Sequence, residues 1–485
     1  MKVYKFKRVT RTCVSALLLV LAVLLVLTGC NTPTPSEGPT EKPTEQQTEP
    51  TVPPVEDREP YTVLVRPDGD GRIYRSVVME SASADADAVA RSIYERTTFI
   101  EDTFAIDFEL DIAADGNADL IRKVEEYART GTDRIEVISC PAREVAWELA
   151  ISGAFYDWNT LDSVRLEADY WHQDAKEEFS TPGGNLFFMS GDLSHLPLAS
   201  ATCMFVNKTI VSTHSWLVTS PFELFQEGRW TFDVFMEYLI AVYDRLDSDG
   251  SGSVDTDRWG YVTTRDRGFY QSLVSSYRHT LEKANTPNAI GGYKVNLTRE
   301  IFDNLIGDFY ALSRKNVSRV FEAEDANQPR FVFEKKRAVF YDGELSYAKE
   351  LRDAGINLGV LPWPKYCYDD DMSDCYNSLV NGDIDVYAIP VNTSARHAGE
   401  IGAVLDALAS AGAEKVIPLY LKDLFTKKDS TVDEESVAMA ELIHRGLNFD
   451  FGFYYNPGGD LFSLNFRDPD LIIADLERWG AVGGK

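Results

Sequence analysis

Between Tyr61 and Ile138 the chain switches repeatedly between two hydrophobic periods, and that switching confines it to a layered α/β architecture. Tyr61 to Val65 reads as a strand, Ala88 to Phe104 as a helix, Ala105 to Leu110 as a strand, Ala118 to Arg129 as a helix and Arg134 to Ile138 as a third strand. Strands separated by helices of this length pair in parallel, with the helices as crossovers. The pattern returns late in the chain. Arg337–Tyr341, Ile356–Leu361 and Val386–Ile389 read as strands, with helices near Ala398–Ala411 and Glu434–Gly446. Between the two blocks lie a short helix over Glu144–Ser152, stopped near Gly153, and short strands at Asn185–Phe188 and Cys203–Val206. Phe232, Phe235, Leu239, Val242 and Leu246 recur at helical spacing behind Thr231, an N-cap candidate. A chain of 485 residues holds two or three cores, and strand–helix segments at both ends imply lobes sewn together by more than one crossing.

The first 58 residues are of another kind. Lys2, Lys5, Lys7, Arg8 and Arg11 precede an apolar run of 15 residues, Cys13 to Leu27, and Leu27, Thr28, Gly29 and Cys30 close it. That run is short for a spanning helix, which needs about 20 residues, and it sits where a secretory signal does. The closing tetrad resembles the bacterial lipobox, in which Cys30 is acylated and becomes the first mature residue; an uncleaved anchor would equally tether the chain outside the cell. Asn31 to Arg58 then holds seven of the 21 prolines and six threonines, a composition that forms a solvated spacer rather than a core.

Charge narrows the partners. Lys and Arg number 48 against 77 Asp and Glu, a net charge of −29 that becomes −34 beyond Gly29. Such a surface repels phosphate backbones and anionic lipid, so nucleic-acid binding and polybasic membrane docking are excluded as functions. Membrane attachment is then through the lipid anchor only.

Of six cysteines, Cys13 leaves with the signal and Cys30 is the anchor. Cys367 and Cys375, eight apart around Asp369, Asp370 and Asp371, either close a loop by a disulfide in an oxidising compartment or stay as free thiols. No Cys-x-x-Cys and no Cys/His cluster at zinc spacing is present in the sequence.

One loop has metal-ligand spacing. Asp247, Asp249, Ser251 and Asp255 stand at positions one, three, five and nine, Gly252 at six, and Ser253 at seven, where a backbone carbonyl would contribute. This alternation aims hard oxygens at one centre and suits a structural Ca2+. Position twelve, the usual bidentate Glu, is Arg258, with Asp257 beside it; the other reading is a solvated acidic turn. Asp68 to Gly71 is a turn.

No Gly-x-Ser-x-Gly elbow, His-Glu-x-x-His helix or Walker loop occurs, so no enzyme is expected. Several segments instead carry a resemblance: the lipobox, Glu227 to Phe232 opening a helix, Asp247 to Asp255 followed by Arg258 to Tyr261, Gly359 to Lys365, Val386 to Pro390, and Asp433 to Ser436 leading toward Asp450 and Gly452. Together they resemble the extracellular solute-binding proteins, family 1, of ABC importers, those of Gram-positive bacteria especially. The resemblance spans most of residues 60–455. It implies a two-lobed, periplasmic-binding-protein-like fold of type II, with mixed sheets flanked by helices and a hinge between lobes. It further implies capture of a small solute, usually an oligosaccharide, and delivery to membrane permease subunits by a monomer on the outer face of the cell membrane. Peptide or cationic solutes, and surface glycoside hydrolysis, are the competing readings. By analogy residues 59–197 and 384–427 form the first lobe and 198–383 and 428–485 the second. Pyranose rings present an apolar face and a belt of hydroxyls, so a sugar site pairs flat aromatics with carboxylates. Trp171, Tyr341, Asp342 and Trp363 are the candidates, by analogy just after strands or in interlobe segments, against core or hinge packing for each tryptophan. In relatives a Trp follows the segment matching Tyr341 to Glu344, whereas here the residue is Leu345.

Overall fold

The computed structural model describes residues 58–455, apart from 70–71, 79–86, 132–133, 144, 182, 215–218, 244–250, 252, 254, 265–280, 284–292, 296–317, 322–324, 326, 366–375, 381–383 and 427–430. The strands are β1 (Glu59–Val65), β2 (Ile106–Ile112), β3 (Val137–Pro141), β4 (Thr202–Asn207), β5 (Trp259–Thr264), β6 (Leu281–Lys283), β7 (Tyr293–Val295), β8 (Ser318–Phe321), β9 (Ala338–Glu344), β10 (Leu358–Leu361), β11 (Ser378–Leu379), β12 (Asp385–Ala388) and β13 (Leu447–Asn448). The helices that matter most here are α1 (Ala88–Phe104), α2 (Asn117–Thr130), α3 (Phe232–Tyr243), α4 (Ala395–Ala411), α5 (Ile417–Leu424) and α6 (Glu434–Arg445).

Local chemistry sets these elements. Asp87 caps α1 by accepting from the Ala90 amide at 2.8 Å, and Val89, Ile93, Thr97 and Ile100 form its buried stripe. The helix stops where Ala105 turns left-handed at φ 56°. Thr231 Oγ1 accepts from the Val234 amide at 3.4 Å and opens α3; Leu246 lies outside the described residues. Asp433 caps α6 through the Ser436 amide at 3.3 Å, with Glu434 and Glu435 in its first turn and His444 and Arg445 in its last, the order the helix dipole favours.

Two mixed sheets result. The first has the order β12-β3-β1-β2, with β1, β2 and β3 parallel and β12 antiparallel to β3. The second has the order β10-β4-β9-β5-β8, with β4 alone antiparallel to its neighbours β9 and β10. Each reversed strand enters its sheet from the other lobe. Thr202, the first residue of β4, stands opposite Glu344 at the end of β9, and Asp385, the first of β12, stands opposite Pro141 at the end of β3. The two crossing segments touch one another, since Ala201 and Val380 form an antiparallel bridge. A third passage leads through the bridge between Thr426 and Val432 to α6, which packs on β10. This is the two-lobed α/β architecture expected from the sequence.

Differences from the sequence reading are local. The third strand lies over Val137–Pro141 rather than Arg134–Ile138, because its partner is β12, from Asp385 to Ala388. Asn185 to Phe188 forms no strand; the Leu186 amide and carbonyl bond Asp157 Oδ1 at 3.1 Å and the Trp158 amide at 2.8 Å instead. Gly69 and Arg72 exchange backbone hydrogen bonds, while Asp70 and Gly71 of the expected turn lie outside the described residues. Cys140 and Cys203 are buried free thiols, while Cys30, Cys367 and Cys375 lie outside the described residues. No helix among the described residues is long and apolar enough to cross a membrane.

Between α4 and α5 the chain makes a five-residue π turn, Gly412–Val416. A Cβ on Gly412 would stand 1.9 Å from the Asp192 carbonyl oxygen, so only glycine permits this backbone approach. Gly412→Ala should therefore lower unfolding stability by about 1–3 kcal/mol through overpacking. A chemical-denaturation midpoint equal to that of the parent would contradict this packing.

Candidate functional site

Loops at the C-terminal ends of β1 and β9 face each other across a cavity of about 410 Å³. From the first lobe come Arg72 and Ser76, past β1, and Asp87 and Ile93 at the start of α1. The second lobe supplies Glu344, Ser346, Tyr347, Lys349 and Glu350. His195 to Ser200 in the first crossing, and Tyr420 and Asp423 of α5, complete the wall. In open α/β sheets ligands bind in this position, outside the carboxyl ends of the strands.

One interaction spans the cavity. Arg72 Nη2 donates to both carboxylate oxygens of Glu344, at 2.7 and 2.6 Å, and each side chain is only 15% exposed. A charge-assisted pair with both oxygens engaged is among the stronger polar contacts a protein makes, and here it joins the two lobes. Behind it, Lys349 reaches Asp423 Oδ2 at 3.1 Å and Arg330 reaches Glu350 at 2.7 Å. The His195 and Tyr420 rings lie 4.9 Å apart at the crossing. Burial, aided by the nearby Arg96 cation, pushes the His195 pKa down to about 4, so its imidazole is neutral at pH 7. Burial raises the Tyr420 phenol, and Glu344, Cys203 and Asp423 add to that; the group stays a hydrogen-bond donor. The wall thus offers two cations, four carboxylates, neutral hydroxyls and two tyrosine rings.

The four residues read from sequence as ligand contacts are distributed otherwise. Trp171 is fully buried, edge-on to Trp158 at 5.4 Å, and donates Nε1 to Asp406 of α4 at 3.1 Å, with Tyr170 and Arg165 on the same carboxylate. Trp363 is 2% exposed and packs against Tyr261 at 6.3 Å. Both occupy core positions rather than the cavity wall, because a flat ring of that size gains most where it is wholly enclosed. Tyr341 and Asp342 lie on β9, just before the wall. Tyr341 packs between Phe205 and Phe333, at 5.9 and 5.8 Å, and Asp342 accepts from Tyr261 Oη at 2.9 Å. Trp230 and Trp259 are buried packing residues. Sequence reasoning missed Arg72, Tyr347 and Tyr420. The available signal was period-two alternation on β9, which puts Glu344 on the same face as Asp342.

Of the acidic glycine loop, Asp247 and Asp249 lie outside the described residues. In the remainder, Ser251 Oγ accepts from the Ser253 amide at 3.3 Å and Ser253 Oγ from the Asp255 amide at 3.2 Å, a run of serine turns.

No protein-family model and no curated protein sequence matches the chain. Solved structures do, at the level of fold. A cyclo/maltodextrin-binding protein complexed with maltotetraose superposes with a TM-score of 0.52 at 14% identity, covering 87% of this chain and 96% of that one. UgpB from Mycobacterium tuberculosis, in complex with glycerophosphocholine, gives 0.51 at 13% identity over 88% and 98%. The ABC substrate-binding protein Lmo0181 from Listeria monocytogenes, in complex with cycloalternan, gives 0.51 at 11% identity over 87% and 98%. The chain has the two-lobed, periplasmic-binding-protein-like fold of these proteins.

Removing Arg72 takes away the guanidinium that engages both Glu344 oxygens. Arg72→Ala should cost about 2 kcal/mol, below the full penalty for breaking a buried pair because both ends retain some water. It should also raise the radius of gyration in solution scattering; an unchanged radius and unchanged stability would remove the pair as an interlobe tie. His195 makes a separate prediction. Its folded pKa lies below the unfolded value, so the unfolded chain binds more protons as pH falls through 6.5 toward about 4, and stability drops over that window. The ring borders the cavity, which screens part of the effect, leaving about 2 kcal/mol. His195→Asn should flatten the stability–pH curve there, and a curve as steep as the parent's would exclude His195 as its source.

Proposed function

We propose that the chain is the extracytoplasmic solute-binding lipoprotein of an ABC importer, a binder rather than an enzyme, capturing a carbohydrate by closure of its two lobes. The observation that carries this reading is the position of the cavity, at strand ends contributed by both sheets and lined by Tyr347, Tyr420 and carboxylates. Tyrosine rings stack on the apolar face of a pyranose while carboxylates and serines accept or donate to its hydroxyls. A solute touching both lobes favours the shut state by its differential affinity, as the Arg72–Glu344 pair does from within the protein. Two of the similar structures hold oligosaccharides, maltotetraose and cycloalternan. Tyr341 and Asp342 enter this reading through position: a Cβ at Gly343 would meet the Tyr347 ring at 3.0 Å and Tyr341 Oη at 3.2 Å, so β9 fixes how Tyr347 is presented.

Further parts of the proposal rest on sequence. Cys30 is acylated and the Pro/Thr segment sets the reach from the membrane; Asp247, Asp249, Ser251, Ser253 and Asp255 hold a structural Ca2+; Cys367 pairs with Cys375; permease subunits receive the solute from the monomer. A cationic solute is the second reading, favoured by the excess of Asp87, Glu344, Glu350 and Asp423 over Arg72 and Lys349 along the wall.

A thermal-shift screen of oligosaccharides and of choline-type cations separates the two. A ligand at 100 times its Kd should stabilise by about 2.7 kcal/mol through mass action, and the class that raises the melting temperature identifies the solute. Stabilisation by neither class, or release of modified product from the bound sugar, would end the reading. Chelation should lower the melting temperature, and Ca2+ should restore it if the glycine loop is metallated.

A further inference from the structure

Two imidazoles and a carboxylate converge away from the cleft. An antiparallel bridge between Trp171 and Gly191 sets His172 opposite Ser190 and Asp192 opposite Tyr170, and across it the side chains of His172 and Asp192 meet. From the last turn of α6, His444 points at the same spot. His172 Nε2 stands 3.3 Å and His444 Nε2 2.7 Å from one oxygen, Asp192 Oδ1, and the three atoms lie within 4.8 Å of one another. We propose that His172, Asp192 and His444 form a binding site for a divalent transition metal, with Zn2+ as the favoured ion.

Tetrahedral zinc with bonds of about 2.0–2.1 Å separates its ligand atoms by roughly 3.3 Å. The His172–Asp192 spacing already meets that figure. His444 must withdraw by roughly half an ångström, a small shift for a side chain 20% exposed at a helix end. Two nitrogens and one carboxylate oxygen select Zn2+ or its borderline neighbours over Ca2+ and Mg2+, which take oxygen shells.

The surroundings hold the set in place. His172 Nδ1 is 3.1 Å from Ser190 Oγ, and its ring stacks on Phe449 at 5.3 Å. Asp192 donates its amide to the Tyr170 carbonyl at 2.9 Å, and its own carbonyl is seated against Gly412. Such outer contacts fix the orientation of metal ligands. A cavity of about 620 Å³ opens beside the triad, bordered by Glu441 one turn earlier on α6. Water supplies the fourth position from there.

His172 and Asp192 belong to the first lobe, whereas α6 packs on β10 of the second sheet. A bound ion therefore ties the two lobes at a place separate from the Arg72–Glu344 pair.

The test uses the mature chain without an affinity tag, stripped of metal and titrated with Zn2+ by calorimetry. One ion per chain is expected, bound at micromolar Kd or tighter, with a higher melting temperature in its presence. His444→Ala should weaken binding by at least about 100-fold and abolish the thermal shift, and excess Ca2+ should leave the Zn2+ titration unchanged. If that variant does not fold, X-ray absorption at the zinc edge of the parent protein decides, with two imidazoles expected in the first shell. No binding, undiminished affinity in His444→Ala, or sulfur in that shell would overturn the site and leave a hydrogen-bonded triad only. None of these outcomes depends on which solute the cleft takes.

Discussion

The direction in which the chain must enter each sheet governs the rest of the architecture. Parallel strands deliver their C-terminal ends, and the loops that follow, to one edge of a sheet. Two such edges face each other here, so any segment passing between lobes arrives at its new sheet from the edge where the others leave it. It has to run against them. β4 and β12 are the antiparallel strands at these entries, and the Ala201–Val380 bridge joins the segments just before them. The segment before β4 also supplies Ala199 and Ser200 to the cavity wall. Arg66, just past β1, adds a charged tie to the start of β12, with Nε 2.7 Å from Asp385 Oδ1 while Ser139 Oγ donates to Oδ2 at 3.0 Å.

Polar groups then grade outward from these crossings. Asp406 is nearly buried and fully used by Arg165, Tyr170 and Trp171, so it locks α4 to the first lobe. Arg96 is completely buried, donating to the Leu193 and Val77 carbonyls, and its desolvation lowers its pKa to about 10. These contacts anchor Tyr170, Trp171 and Leu193, next to His195 of the cavity wall and to His172 and Asp192, two of the three converging side chains beside α6. The π turn at Gly412 belongs to the same design, since it lets α4 and α5 follow one another while their junction touches the Asp192 backbone.

Much of the fold was legible because its signals are local. Thr231 announced a helix start by chemistry that acts within three residues, the same chemistry by which Asp87 and Asp433 cap α1 and α6, and the buried stripe of α3 needed only the helical period. The third strand slipped because β3 is fixed by pairing with residues about 245 positions away, which no window of sequence contains. The site was harder for the same reason. Arg72 and Glu344 are 272 residues apart, and nothing near either one marks the other. Trp171 and Trp363 were favoured as sugar platforms on residue type and on position by analogy, yet both fill cores, and the cavity presents the phenols of Tyr347 and Tyr420. His172 and His444 looked scattered because a cluster drawn from three elements has no spacing rule to betray it.

The two enclosed thiols have a bearing on how such a chain matures. Cys140 sits on β3 opposite Val386, Cys203 sits on β4 opposite Gly343, and burial raises both well above the ordinary thiol range. A thiol held that way supplies almost no thiolate, the species that attacks disulfides and oxidants. Once β3 and β4 are docked in their sheets, neither sulfur is open to exchange with another thiol.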